Sequence, residues 1–133
     1  MEAVAKLNSI PMSARKMRLV ADLVRGKGVG EALSILKYSK QEASYWIEKN
    51  LVSAIANWED KIDNMESADD FDLVISEIFV DQGAQLKRYR PAPQGRAHRI
   101  RKHSCHVTIK VSNLIELPAS ATSEEEEVET IEE

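Results

Sequence analysis

Residues 86–110 hold eight lysines and arginines and not one acid. They lie between two segments of β-type sequence, and this arrangement limits the possible folds more than any other feature of the chain. Upstream, FDLVISEIFV (71–80) is rich in β-branched and aromatic residues. Downstream, HVTIKVSNLI (106–115) alternates, with Val107, Ile109 and Val111 on one side. Pro91, Pro93 and Gly95 mark a turn near the midpoint. Folding there pairs 81–90 with 96–105 and extends both strands into one long hairpin. Each arm of about ten residues would reach roughly 33 Å at about 3.3 Å per residue. Such a hairpin cannot bury itself: Leu86, Tyr89 and Ile100 are its only large apolar residues between 81 and 104. An isolated two-stranded ribbon is marginal in water, and a row of like charges repels itself. Order in this segment therefore calls for an anionic partner.

The net charge of −4 hides this segregation. Residues 118–133 carry seven acids (Glu124, Glu125, Glu126, Glu127, Glu129, Glu132 and Glu133) and no lysine or arginine. The rest of the chain has a net charge of +3. A length of 133 residues suits one domain, predicted over 1–117. Within it, a globular body spans 1–80 and 106–117, and the extended hairpin spans 81–105. The tail 118–133 is predicted to be disordered, because it combines dense like charge with almost no apolar content. Only 5% of residues are aromatic, so aliphatic side chains must fill the core. No apolar run approaches the roughly 18–20 residues of a membrane span, and Met1 leads into a short alternating segment unlike a signal or transit peptide. A single cysteine, Cys105, excludes an intramolecular disulfide and fits a reducing cytoplasm.

Ahead of the β-type segments the apolar spacing is mostly helical. AVAKLNS (3–9) reads as a short strand. Ser13 is a suitable N-cap for a helix on which Ala14, Met17, Ala21 and Val24 share a face, and Gly26 is a natural stop. A second helix is predicted at about 29–38, with Val29, Ala32, Leu33 and Leu36 on one side. Ser39 and Glu42 have the spacing of a capping box for a third helix. Its stripe of Ile47, Leu51, Ile55, Trp58, Ile62 and Met65 predicts an end near 65. Trp58 belongs to the stripe and Trp46 to its edge.

Phosphate recognition is the chemistry best matched to the hairpin. Its cations are Lys87, Arg88, Arg90, Arg96, Arg99, Arg101 and Lys102, with Lys110 beyond. Arginine forks match phosphate oxygens and stack on bases, and Gly95 and Ala97 allow close backbone approach. If five to eight of these charges met phosphates, log K would fall with log[salt] at a slope of about −3.5 to −7. A solvated charged loop is the bland alternative, and the absence of acids and the excess of arginine count against it. The first helix adds a second basic patch: Arg15, Lys16 and Arg18 beside the Ser13 cap, then Arg25 and Lys27 at the other end. An ordinary amphipathic helix with a polar outer face is the alternative there. His98, His103, Cys105 and His106 cluster in sequence, but strand geometry spreads them over both faces, so neither a metal site nor catalysis is expected. No cofactor is implied, and GKGVG (26–30) lacks the ending of a phosphate loop. Two rival readings remain: an architectural DNA-binding protein wedging a basic β-arm into the minor groove, and a hydrolase using the histidines. The acidic tail is either solubilising or a shield for the basic arm.

Two segments resemble a known family. SARKMRLVADLVRGK (13–27) is similar to its helix motif S-P-R-K-x-R-x-V-A-D-x-I-R-G, and EIFVDQGAQLKRYRPAPQGRAHRIRKHSCHVTIKV (77–111) resembles its long hairpin. The family is the bacterial type of large-subunit ribosomal protein L-twenty-two, and the similarity covers roughly residues 3–115. The resemblance implies an α+β fold: three helices packed on a small three-stranded antiparallel sheet, with a protruding hairpin. It also implies a monomer in the large subunit of the cytoplasmic ribosome, in contact with ribosomal RNA, neighbouring ribosomal proteins and the nascent polypeptide, and with no membrane. Lys87, Arg88, Tyr89, Arg90, Pro91, Ala92, Pro93, Gln94, Gly95 and Arg96 would then line the peptide exit tunnel. Arg99, Arg101 and Lys102 would grip RNA along the returning arm, and Arg15, Lys16 and Arg18 would dock the body. The chain departs from the pattern at Ala92 and Gln94, where a base is frequent, and at Ala14, where proline is. The acidic tail has no counterpart in the motif. His103 replaces a common basic residue, which makes that contact pH-dependent.

Overall fold

The computed structural model describes residues 2–62 and 72–113. Five strands and three helices follow in the order β1 (Glu2–Ile10), α1 (Ala14–Val24), α2 (Val29–Tyr38), α3 (Glu42–Lys61), β2 (Leu73–Gln82), β3 (Leu86–Pro91), β4 (Ala97–Lys102) and β5 (Cys105–Asn113). β1, β5 and β2 form an antiparallel sheet in that order, while β3 and β4 form a separate two-stranded ribbon. The fold is α+β, with three helices against a three-stranded sheet, as expected.

β5 takes the centre, where partners on both sides leave none of its nine residues exposed. Cross-strand rows build the core: Ala3–Val111–Ile75, Ala5–Ile109–Ile78 and Leu7–Val107–Val80. α3 lies over β1 and β5, α1 lies against β2, and α2 packs on α3. Met17, Val20, Ala21 and Val24 of α1 and Ile47, Leu51, Ala54 and Trp58 of α3 are all fully buried against this face. Ile55 and Ile62 are partly buried at its margin. Met65 lies outside the described residues, as do 114–115 and the acidic tail.

Strict alternation would turn either Ile75 or Ile78 out of the core, because three positions separate them. The register shift between Ile75 and Glu77 leaves Ser76 as an extra residue, and both isoleucines face inward. β1 does the same between Leu7 and Ile10, where Ser9 takes φ 56°. Beside that bulge the buried amide of Asn50 donates from Nδ2 to the Val107 carbonyl at 3.3 Å.

Helix ends differ in part from expectation. Gly26 stops α1 with φ 73°, as its missing Cβ allows, and donates its N–H to Ile75 O at 3.1 Å. Ser13 is the N-cap residue, yet its hydroxyl makes no capping bond; its carbonyl accepts from the amides of Lys16 and Met17. The Ser39–Glu42 capping box does not form: Ser39 is the C-cap of α2, and Gln41 precedes α3. α2 and α3 are too close in sequence for Ser39 to serve both, and the end of α2 claims it.

The hairpin is not one continuous ladder. β2 and β5 pair as far as Gln82–Cys105, and pairing resumes at Leu86–Lys102. Three residues (83–85) lie in the break on one side and two (103–104) on the other. The expected pairing of 81–90 with 96–105 is therefore shifted. Gly83 donates its N–H to Ser104 O at 2.8 Å, and the Ser104 hydroxyl donates to Ala84 O at 2.6 Å. A Cβ at Gly83 would lie 2.5 Å from Ser104 Oγ. Gly83→Ala should therefore displace that hydroxyl and lower unfolding stability by about 1–2 kcal/mol, measured by urea denaturation. Adding Ser104→Ala should recover the part due to the clash.

Candidate nucleic-acid interface

All six residues of β3 and all six of β4 are exposed. Paired positions share a face in an antiparallel ribbon, so the register sorts the cations. Lys87, Arg99 and Arg101 lie on one face with Tyr89. Arg88, Arg90 and Lys102 lie on the other with Leu86, Ile100 and His98. Lys87 stands directly opposite Arg101, an unfavourable pairing that a nearby anion would relieve. The strands close through Ala92 N–H to Arg96 O at 2.8 Å and a 3₁₀ turn, Pro93–Gly95. Gln94 and Gly95 both adopt positive φ there, at 64° and 72°. Arg96 follows at the tip. Among the described residues, none of these seven cations forms an ion pair.

The helical patch is different in kind. Arg18 donates from Nε and Nη2 to Val80 O at 3.2 and 2.9 Å. Arg25 donates to Ile78 O at 3.0 Å and pairs with Asp22. Both side chains thus cover carbonyls of β2, an edge strand, and tie α1 to it. Lys27 pairs with Glu31 and Lys110 with Glu77, each at 2.6 Å. The hydrogen bond from Lys110 to Glu77, and then the carboxylate's charge, hold the ammonium above the usual lysine range. These four residues are already engaged within the chain. Arg15 and Lys16 make no such contact among the described residues. Sequence patterning does not reveal this division, because the carbonyls that Arg18 and Arg25 meet lie more than fifty positions away.

A groove of about 720 Å³ joins the two patches. Ser13 and Lys16 of the first helix's start line it together with Lys102 and His103 of the arm's base. Met12, Leu19 and Gln41 contribute the walls that no sequence motif marks.

The histidine–cysteine cluster is dispersed. His106 Nδ1 accepts the Ser9 N–H at 2.9 Å and so serves the β1 bulge. His98 and His103 are exposed. Among the described residues, no three His, Cys, Asp or Glu side chains gather to hold a metal. Cys105 is buried, and desolvation pushes its thiol up, with the Arg18 charge opposing. The folded chain thus favours the neutral thiol. That contribution to stability is complete below the unfolded thiol's pKa and is lost as pH rises through the raised one. Native chain should react with an alkylating reagent at least about 100-fold more slowly than chain in urea, read by mass spectrometry.

Comparison with known proteins gives the chain's family. The family model for ribosomal protein L22p/L17e matches residues 5–112. The large ribosomal subunit protein uL22 of Christiangramia forsetii is 63% identical over 109 residues, covering 80% of this chain and 78% of that protein. Its counterpart in Bacteroides fragilis is 57% identical over 109 residues, covering 82% and 79%. The Cytophaga hutchinsonii protein is 52% identical over 128 residues, covering 96% of this chain and 69% of its own length. With a family match across most of its described residues and relatives this similar, the chain belongs to the ribosomal protein L22p/L17e family.

Proposed function

We propose that the β3–β4 ribbon binds large-subunit ribosomal RNA along both faces and that its tip lines the nascent-peptide exit tunnel. As a member of its family the chain is a structural constituent of the large ribosomal subunit in the cytoplasm and not an enzyme. One observation carries the RNA reading: seven arm cations without acidic partners among the described residues, three on each face and one at the tip. Unlike a blade charged on one side, such a ribbon is neutralised only when phosphates approach from both sides. Lys16, Lys102 and His103 extend the RNA contact along the groove toward the body, and Arg15 adds to it from α1. The motif resemblance supports the tunnel assignment for Lys87–Arg96, and so contact with the nascent polypeptide and with neighbouring ribosomal proteins. Family membership favours ribosomal RNA over the architectural DNA reading.

The test is photocrosslinking within assembled subunits. A photoreactive residue at 90 should yield adducts on large-subunit ribosomal RNA, and one at 94 should yield adducts on a stalled nascent chain. Adducts from 90 on protein alone would overturn the RNA reading, and a tip that never labels the nascent chain would overturn the tunnel assignment.

A further inference from the structure

We infer that the glutamate-rich segment 124–133 docks on the cationic β3–β4 ribbon of its own chain and competes there with RNA. The inference rests on the RNA reading of that ribbon and adds a regulator to it. Charge is the first argument. The segment carries seven glutamates and no lysine or arginine, and the ribbon carries seven cations without acidic partners among the described residues. Three cations nearer the root of the tail are already engaged: Lys110 with Glu77, Lys27 with Glu31, and Lys61 with the Glu2 carbonyl. Glu2 itself lies in that corner, because it pairs in register with Ser112. Local chemistry there repels an acidic segment more than it holds one.

Reach is the second argument. β5 runs from Cys105, at the base of the ribbon, to Asn113 at the opposite end of the sheet. Those eight steps span about 27 Å at about 3.4 Å each. Residues 114–123 can cover roughly 33–36 Å when extended, enough to return from Asn113 to the base. From there the ribbon continues about 17 Å along β4, and the ten residues 124–133 can cover about twice that length. The glutamates therefore begin where the cations begin. A tether of this length gives an effective concentration on the order of 1 mM, far above that of a second copy in dilute solution. With a contact that dissociates at about 0.1 mM, the docked segment weakens RNA binding about tenfold at low salt. It yields to a folded RNA that offers phosphates to both faces.

The 133-residue chain with Thr130→Cys, labelled with a nitroxide, tests the contact; the native thiol of Cys105 is buried. At 50 mM salt, paramagnetic broadening should fall on amides of 86–102 and vanish at 0.5 M salt. Broadening absent from the ribbon overturns the inference. So does ribbon broadening that passes from a labelled chain to an unlabelled one, since the occupant would then be a second copy. In parallel, all seven glutamates of 124–133 are replaced (Glu124→Gln and so on), and affinity for poly(U) is measured. The variant should bind about tenfold more tightly at 50 mM salt and equally at 0.5 M. Tighter binding without broadening shows general repulsion and overturns docking. Equal binding at both salts overturns the competition but leaves RNA recognition intact. If neither chain binds poly(U), the RNA reading itself falls.

Discussion

Replacing Arg99 and Arg101 together by glutamate is expected to cut incorporation into large ribosomal subunits by at least about tenfold while the free chain stays folded. Both side chains lie on one face of the ribbon with Lys87 and make no in-chain ion pair among the described residues. The double reversal turns a face of three cations into one with a net negative charge. A charge-assisted hydrogen bond from arginine to phosphate is worth about 1.5–3 kcal/mol, and each glutamate adds repulsion from phosphate. The fold should be indifferent, because exposed substitutions away from packed features usually change stability by less than about 0.5 kcal/mol. Sedimentation of reconstituted subunits measures incorporation, and circular dichroism with urea denaturation measures folding. The neutral pair Arg99→Gln with Arg101→Gln should flatten the salt dependence of RNA binding by about 1.4–1.8 in slope, the release expected from two phosphates. Undiminished incorporation of the reversed variant would remove the ribbon from the RNA interface.

Trp58→Ala should have the largest effect on stability, a loss of about 3–5 kcal/mol. Trp58 is the largest fully buried side chain and sits on α3, the helix that covers β1 and β5. Among the described residues, no other aromatic ring is buried in the core that surrounds it. A small domain is stable by only about 5–15 kcal/mol, so this one substitution removes a large share. The urea midpoint followed by circular dichroism gives the value. Trp46→Ala is the control. That ring lies at the core's margin, edge-on to Tyr45 at 5.3 Å, and its removal should cost about 1–2 kcal/mol. Equal losses at the two positions would contradict the placement of α3.

What the sequence discloses here depends on the range of the interaction. Helical spacing predicts α1, α2 and most of α3, because each helix shows its buried stripe in consecutive turns. Two proline positions and a glycine locate the tip of the ribbon through local backbone limits. Long-range bonds are where prediction stops. Arg18 and Arg25 look like phosphate ligands in a basic motif, and only the position of β2 shows that they hold its carbonyls. Ser39 and Glu42 satisfy a local rule, but the end of α2 overrides it. The bulge at Ser76 does leave a trace, since Ile75 and Ile78 are three apart in a strand where even spacing is the norm. Asn50 leaves none: its bond to Val107 depends on a helix crossing a sheet.

The unequal break at the base of the ribbon decides how its charge is shared out. Had the Gln82–Cys105 register continued, Arg88 and Arg90 would share a side with Arg99 and Arg101, and Lys87, Lys102 and Arg96 would lie on the reverse. One additional residue in 83–85, relative to 103–104, changes the parity of β3 against β4. Four arginines that would have gathered on one side are divided two and two. A one-residue change in the β3–β4 pairing, with Pro91 facing Arg96 in place of Ala97, would keep every cation in the chain and yet gather those four arginines on one side.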